Sequence, residues 1–403
     1  MSAAFNGLRA SLHPLHRLWR GLPQGARRKL LTEGTALLAP HPDRPAPPVL
    51  SGIAVAGELD RASGLGEGAR LMLHGLDALG VPAWPMRRGG PLPPDGAPLV
   101  LHVNAPQVPL ALLRLGRGAL RGRRVVGYWA WELPVVPESW RAGLAFVHEV
   151  WAPSRFTAAA LEPLLPGRVR VVPHPVAAHP PVPSALGRAE FGLPPDAVIT
   201  LVAFNLASSF ERKNPLGAIA AHRAAFGDRA DRLLLLRVGN PHHFPADFAR
   251  LRAAADHPNI RIDTRTLPAA DSHALMAACD IVLSLHRSEG FGLVPAEAML
   301  LGVPVVATDW SGNVDFMYAG CAAMVPARLI PAHDPRGVFM APGAMWAEPD
   351  VAVAAAHLVR LADDPAARHA LGQAGQAAAH ARLGLGPLAV AVRALGLPVA
   401  HPT

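Results

Sequence analysis

From Val49 to Thr308 the chain repeats one pattern: a short apolar run, a loop, then a stretch of helical period. Nothing else in it constrains the fold as strongly. Strands covered by helices on both faces read as near-continuous apolar runs, and alternation with helices gives a parallel α/β sheet. The first series is "SGIAVAG", "PLVLHVNAP", "RRVVGYWAWE", "HEVWAPS" and "VRVVPHPV". It stops after Val176 at "AAHPPVPSALGRAEFGLPPD", which is rich in Pro, has no period and marks a domain boundary. The second series is "AVITLVAFN", "RLLLLRVGN", "NIRIDT", "CDIVLSLH" and "VPVVAT", with helices predicted at "NPLGAIAAHRAAF" and "DSHALMAAC". Two more helices are expected at 350–363 and 366–383, before a last apolar segment that reaches Leu397. A chain of 403 residues also suits two cores of about 150–200 residues each. The expected layout is two doubly wound domains, 49–180 and 190–380, with a tail, 381–403, that could cross back to the first. Ligands of such sheets collect beyond the strand carboxyl ends, so the cleft between domains is where two substrates could meet.

Apolar residues make up 51% and charged residues 17%, the balance of a globular protein. The formal charge of +8 is carried almost wholly by arginine, since lysine occurs only at Lys29 and Lys213. A basic balance suits nucleic acid, an anionic membrane face or a phosphate-bearing ligand. Outside the N-terminal segment, Arg is scattered singly and no zinc-ligand or RNA-binding signature occurs, so no nucleic-acid partner is expected. Cys279 and Cys321, in apolar surroundings, suit a reducing cytoplasm. Arg9, Arg17 and Arg20 argue against a signal peptide, and no apolar run is long enough to span a membrane. Residues 1–48 read as a basic extension ending in a Pro-rich linker or tether, "APHPDRPAPP". Leu8, Leu12, Leu15, Trp19 and Leu22 recur at helical spacing opposite the arginines, although Pro14 interrupts them. Packing on the body of the protein is the preferred reading; the other is peripheral contact of residues 1–38 with an anionic membrane.

The stretch "SLHRSEGFGLVPAEAMLLGVPVVATDWSGN", Ser284 to Asn313, puts Glu289 just past the carboxyl end of a predicted strand. Pro295 suits a first helical position, which would place Glu297 in the first turn of the next helix, facing the same crevice. Gly290 and Gly292 remove Cβ atoms where a backbone could approach a ligand, and a helix N-terminus favours a diphosphate. A carboxylate only accepts, so the two Glu are expected to take hydrogen bonds from hydroxyls, a sugar at one end and a ribose at the other. The macrodipole alone would favour a Glu near a helix start. Against that, Val294 at the cap position offers no hydroxyl for a capping box, and two Glu, two Gly and a Pro coincide. Lys213, before "NPLGAIAAH", offers a compact ammonium to a phosphate; the plain alternative is a solvent-facing lysine.

This block resembles the nucleotide-sugar signature of retaining glycosyltransferases of family four, glycosyl transferases group 1. Their GT-B fold is two Rossmann-like domains about a cleft. Their mark, Glu, seven residues, Glu, is matched by Glu289 and Glu297. The resemblance extends to "FNLASSFERKNPLGAI", "VVGYWAWELPVVPESW", "EVWAPSRF" and "GLGEGAR", spanning residues 50–320. It implies that Glu289 contacts the donor sugar near the reacting carbon and that Glu297 holds the ribose. The backbone of Gly290, Phe291, Gly292, Leu293 and Val294 would bind sugar and diphosphate, and Lys213 would neutralise the diphosphate. Relatives often carry an Arg five positions before this Lys; Ser208 stands there, with Arg212 as the candidate substitute. Gly64 and Gly66 would lie in a loop over the phosphates. Also implied are retention of anomeric configuration, no essential metal, and no cofactor beyond the nucleotide-sugar co-substrate.

The expected activity is transfer of a hexose from a UDP- or GDP-sugar to a saccharide, glycolipid or other hydroxyl acceptor. Bacterial polysaccharide or envelope glycan synthesis is the expected setting, in the cytoplasm or peripheral at the inner membrane face. The alternatives are a nucleotide-sugar epimerase, a pyridoxal-phosphate sugar phosphorylase, for which no third lysine exists, and a non-catalytic GT-B partner in a glycan assembly complex. Glu132 is the nearby carboxylate that could act as base for the acceptor hydroxyl. Trp129, Trp131 and Trp140 could stack on an acceptor or pack between domains. Which of His148 and Glu149 faces the cleft is open; His174 reads as a packed or loop residue, and "DWSGN" is expected to shape the sugar pocket.

Overall fold

The structure is a computed structural model that describes residues 33–61 and 63–400, together with Gly21 and Leu30. The amphipathic segment from Leu8 to Trp19 and the Arg27–Lys29 cluster lie outside the described residues.

The first sheet has six parallel strands in the order β2-β1-β3-β4-β5-β6. They are β1 (Ile53–Gly57), β2 (Ala83–Met86), β3 (Leu99–His102), β4 (Val125–Tyr128), β5 (Glu149–Ala152) and β6 (Val169–Val171). The second, also six-stranded and parallel, runs β12-β11-β10-β7-β8-β9. Its strands are β7 (Val198–Asn205), β8 (Arg232–Gly239), β9 (Ile260–Asp263), β10 (Ile281–Ser284), β11 (Val305–Thr308) and β12 (Ala323–Val325). Helices α1 (Gly64–Ala78), α2 (Val108–Leu115) and α3 (Arg155–Leu161) belong to the first half. The second half carries α4 (Phe210–Lys213), α5 (Pro215–Phe226), α6 (Pro245–Ala254), α7 (Ala269–Ala277) and α8 (Leu293–Leu300). The chain ends in α9 (Val351–Asp363), α10 (Pro365–Arg382) and α11 (Gly386–Ala394). The apolar runs form the strands because both faces of each sheet are covered: β3 and β4 are buried at every position.

Two features escape the periodicity. The edge strands β2 and β12 are short, and β2 carries Pro85, which an edge tolerates because its N–H side need not pair. Residues 327–349 form an antiparallel hairpin, β13 (Ala327–Pro331) paired with β14 (Met345–Pro349). Although it follows the second sheet, its Phe339, Ala344 and Trp346 join the apolar cluster of Leu99, Trp129 and Trp131 on the first.

The Pro-rich segment expected to be a tether is docked instead. Gly122 N–H donates to Asp43 Oδ2 at 2.8 Å, and Arg44 Nη2 donates to the carbonyls of Ala145 and Val147 at 3.2 and 3.3 Å. Apolar Ala39 is buried in the same cluster. At the other end, α11 inserts Leu388, Val392 and Leu395 into the cluster of Ile53, Val55, Met72 and Leu76. The chain therefore crosses between the sheets twice, and the crossings touch: Ala177 N–H donates to Leu383 O at 3.0 Å.

Candidate active site

Strand order places the site. In the second sheet β7 lies between β10 and β8, so the connections leaving β7 and β10 diverge there, and the crevice opens at that point. The loop after β7 carries Arg212 and Lys213; the loop after β10 carries Glu289. Ser209, in a positive-φ conformation (73°), caps α4 by accepting from Arg212 N–H at 3.3 Å. Asn214 (φ 50°) ends α4 and caps α5, with Pro215 as the first residue of α5. These two turns aim Arg212 and Lys213 across at β10.

There the four charges meet. Lys213 Nζ donates to Glu289 Oε1. Arg212 Nη1 lies 3.1 Å from Glu289 Oε2, and its Nη2 lies 3.8 Å from Oε1 of Glu132, which comes from the other sheet. Arg212 also donates from Nε to Ser208 O (3.1 Å) and from Nη1 to Ser288 O (2.7 Å). The backbone of Glu289 is fixed as well: its N–H donates to Ser311 Oγ at 2.8 Å, and its carbonyl accepts from Gly312 N–H at 2.9 Å. Burial alone would push the Glu289 carboxyl up, but Lys213 and Arg212, then His286, hold it well below the usual carboxylate range. Glu132 has weaker compensation. Burial raises its pKa, against the pull of Arg212.

Glu297 faces a different environment. The helix α8 begins at Leu293 with Gly292 (φ 103°) as its cap, so Pro295 is its third residue and Glu297 its fifth. The expectation of a first-turn Glu297 is thus corrected by two residues, which puts it in the second turn: the left-handed Gly292 starts the helix earlier than the proline. Burial, with Glu67 of α1 opposite, pushes the Glu297 carboxyl up to about 8. Among the described residues no Lys or Arg pairs with it as Lys213 pairs with Glu289, so nothing offsets that burial. Leu293, one turn earlier, lies 3.9 Å from the position a Cβ on Gly64 would take, so α1 and α8 approach each other end to end.

The segment of Gly64 and Gly66 is not a loop. Ser63 accepts from Gly66 N–H at 3.1 Å and caps α1, which starts at Gly64. Gly64 is exposed beside α8, whereas Gly66 is buried against its own chain: a Cβ there would stand 2.4 Å from Glu58 O. The glycine at 66 therefore serves packing of the turn before the helix. Among the Gly290–Val294 segment, the Phe291 side chain is buried, edge to face with His174 and tilted against Phe316. Gly290 O accepts from Ser154 Oγ at 2.6 Å and from Thr157 Oγ1 at 3.3 Å, both on the first half of the chain.

The tryptophans resolve to packing. Trp129, Trp131 and Trp140 are all buried within one apolar cluster. His148 is turned away to the docked N-terminal segment, accepting from Val125 N–H at 2.8 Å with its other ring nitrogen 2.9 Å from Asp43 O. His174 is buried next to the Tyr128 hydroxyl (3.1 Å), and burial lowers its pKa to about 4. His286 bridges Ser284 Oγ and Asn313 Oδ1 at 2.9 and 3.0 Å, shaping the loop beneath Glu289. Pattern reading missed Glu67, Ser154, Ser209 and Phe339. Ser154 in "APSRF" bore a helix-cap signal; the others gain partners only through tertiary structure.

Residues 208–345 match the family described as Glycosyl transferases group 1. A D-inositol 3-phosphate glycosyltransferase of Jonesia denitrificans is 30% identical over 152 residues, 37% of this chain and 35% of that protein. The chain thus matches little more than a third of the length of that curated relative. Among solved structures, the Anabaena protein HepE, in complex with UDP and glucose, has a TM-score of 0.60 at 14% identity, covering 86% of this chain and 100% of that one. Sucrose-phosphate synthase from Thermosynechococcus elongatus has a TM-score of 0.60 at 18% identity, covering 85% and 98%. The two parallel sheets are a GT-B fold, and within it residues 208–345 are similar to the glycosyl transferases group 1 family.

Proposed function

We propose that the protein is a retaining glycosyltransferase that takes a hexose from a UDP- or GDP-sugar and passes it to a hydroxyl acceptor. What carries this reading is the cluster of Glu289, Lys213, Arg212 and Glu132 at the mouth of the second sheet, with Glu297 one helix away. The sugar's hydroxyls donate to Glu289, which stays ionised, and the ribose hydroxyls meet Glu297. Lys213 passes from Glu289 to the diphosphate as the ligand enters, supported by the N-termini of α5 and α8. When the glycosidic bond breaks, the electron pair leaves with the diphosphate, and these groups stabilise the charge that develops there. The acceptor hydroxyl attacks from the face that the leaving group vacates, with Glu132 placed to take its proton. Glu289 is not read as a covalent nucleophile, because Arg212 still holds its Oε2 after Lys213 has moved to the diphosphate. In this reading the neutralising charge is the protein's own, without an essential metal. That HepE is solved with UDP and glucose supports the choice of donor class. A saccharide or glycolipid acceptor in bacterial envelope or polysaccharide synthesis, at the cytoplasmic face of a membrane, is part of the same proposal.

Thermal shift with a panel of UDP- and GDP-sugars tests it. Binding to the folded state alone raises Tm by mass action. The wild type should shift with one nucleotide-sugar and Glu297→Ala should not; an unresponsive wild type, or an equally responsive variant, refutes the donor site. Anomeric proton couplings of the product, read by NMR, decide retention against inversion. Membrane contact is tested by comparing liposome binding of the full chain with a chain lacking residues 1–38, which should not bind.

A further inference from the structure

The hairpin of β13 and β14 has no part in the reading above, yet its connecting loop reaches the charge cluster. Asp334, 1% exposed, accepts from Val338 N–H at 2.9 Å and Phe339 N–H at 3.1 Å, which shapes the tip. The same carboxylate accepts from Ser209 Oγ at 3.1 Å, the residue that caps the turn bearing Arg212 and Lys213. Tip and cationic turn are thus fastened at one point. Beside it, the Phe339 ring lies 4.9 Å from Arg212 Cζ and stacks on Trp131 at 5.5 Å and 24°. Trp131 immediately precedes Glu132, so this one ring touches the supports of both a cation and a carboxylate of the cluster.

We infer that Phe339 is a positioning residue: it sets the plane of the Arg212 guanidinium and, through it, the aim of Glu289 and Glu132. The inference rests on the nucleotide-sugar reading of the site. Arg212 makes its contacts to Ser208 O, Ser288 O, Glu289 and Glu132 around the edge of a planar group. Such a fork holds its partners only while its plane is fixed. Edge contacts leave rotation out of that plane to be resisted by whatever covers the face, and the covering group is an aromatic ring in a water-poor place. There a cation–π contact is at its strongest. The consequence falls on the sugar end of the ligand, where Glu289 works, and spares the nucleoside end at Glu297.

The test compares wild type, Phe339→Leu and Phe339→Tyr, each with Arg212 intact and with Arg212→Lys. Isothermal titration uses UDP against UDP-glucose and GDP against GDP-mannose, with thermal unfolding on every variant. Leu fills the space against Trp131 but has no π face; Tyr keeps the ring. With Arg212 intact, Phe339→Leu should weaken the nucleotide-sugar roughly tenfold and leave the nucleoside diphosphate within about twofold, and Tyr should restore wild-type binding. On Arg212→Lys, Leu and Phe should bind alike. Unchanged sugar-nucleotide binding in Phe339→Leu overturns the inference and leaves the donor site standing. So does an equal loss in both backgrounds, or a loss that follows a fall in Tm and that Tyr does not repair. A wild type that binds no nucleotide-sugar overturns the reading of the site, and this inference with it.

Discussion

At the scale of single residues, the two glutamates differ in how their charge is handled, and that difference is measurable. Glu289 is paired, whereas Glu297 keeps its proton up to about pH 8 because burial and Glu67 oppose its charge. A carboxyl whose folded pKa is raised from its ordinary value near 4.5 binds a proton more tightly folded than unfolded. Stability from this group is therefore complete below 4.5 and is lost as pH rises towards about 8. Glu297→Gln should gain roughly 1–3 kcal/mol over wild type at pH 8, water reaching the half-open side chain keeping the figure modest, and gain nothing at pH 4. Urea midpoints at the two pH values check this; equal midpoints differences at both would refute it. If the ribose favours the ionised form, nucleotide binding at pH 7 releases a proton. Titration in buffers of different ionisation enthalpy should then show it, with affinity tightening from pH 6 to 8. Lys213→Met should weaken UDP about ten- to a hundredfold while leaving uridine unchanged, since a charge-assisted bond to phosphate is what it removes. Equal effects on both ligands would deny the lysine its phosphate.

At the scale of elements, the loop from Gly290 to Val294 is held by close backbone approach. A Cβ on Gly312 would stand 2.3 Å from Gly290 O and 2.8 Å from Phe291 N, atoms that cannot move without the loop. Gly312→Ala should cost about 1–3 kcal/mol and abolish sugar-nucleotide binding beyond that loss of stability. A variant that binds normally would show the loop to be more yielding than its contacts imply. The same elements mark what a sequence can disclose. The inner strands were legible because burial on both faces writes an unbroken apolar run, as in "RLLLLRVG". The carboxylates and the lysine were legible because their neighbours in sequence, glycines and a proline, restrict the backbone beside them. The start of α8 lies two residues before the expected one, since the left-handed conformation of Gly292 outweighs the preference of Pro295 for a first position. The hairpin left no trace: β13 is largely exposed and its loop is broken by Pro and Gly, so its pattern resembles irregular chain. Phe339 could not be placed either, because its partners lie 127 and 208 positions away, at Arg212 and Trp131.

At the scale of the molecule, the first sheet is completed by residues from the far end of the chain. Leu388, fully buried, packs among Val55, Met72 and Leu76, and a Cβ on Gly75 would approach its Cδ2 to 2.8 Å. Leu388→Ala should therefore cost about 2–5 kcal/mol, and hydrogen exchange should show the loss in β1 and α1 rather than in the second sheet. Protection unchanged in β1 would mean that the last helix is a passenger. The contact between Ala177 and Leu383 carries a mechanical consequence. Two covalent tethers that leave one half side by side act as the spine of a book. The covers can swing, but they cannot slide past each other without tearing the spine, so a ligand would enter and leave by the fore-edge, on a rotation about one line.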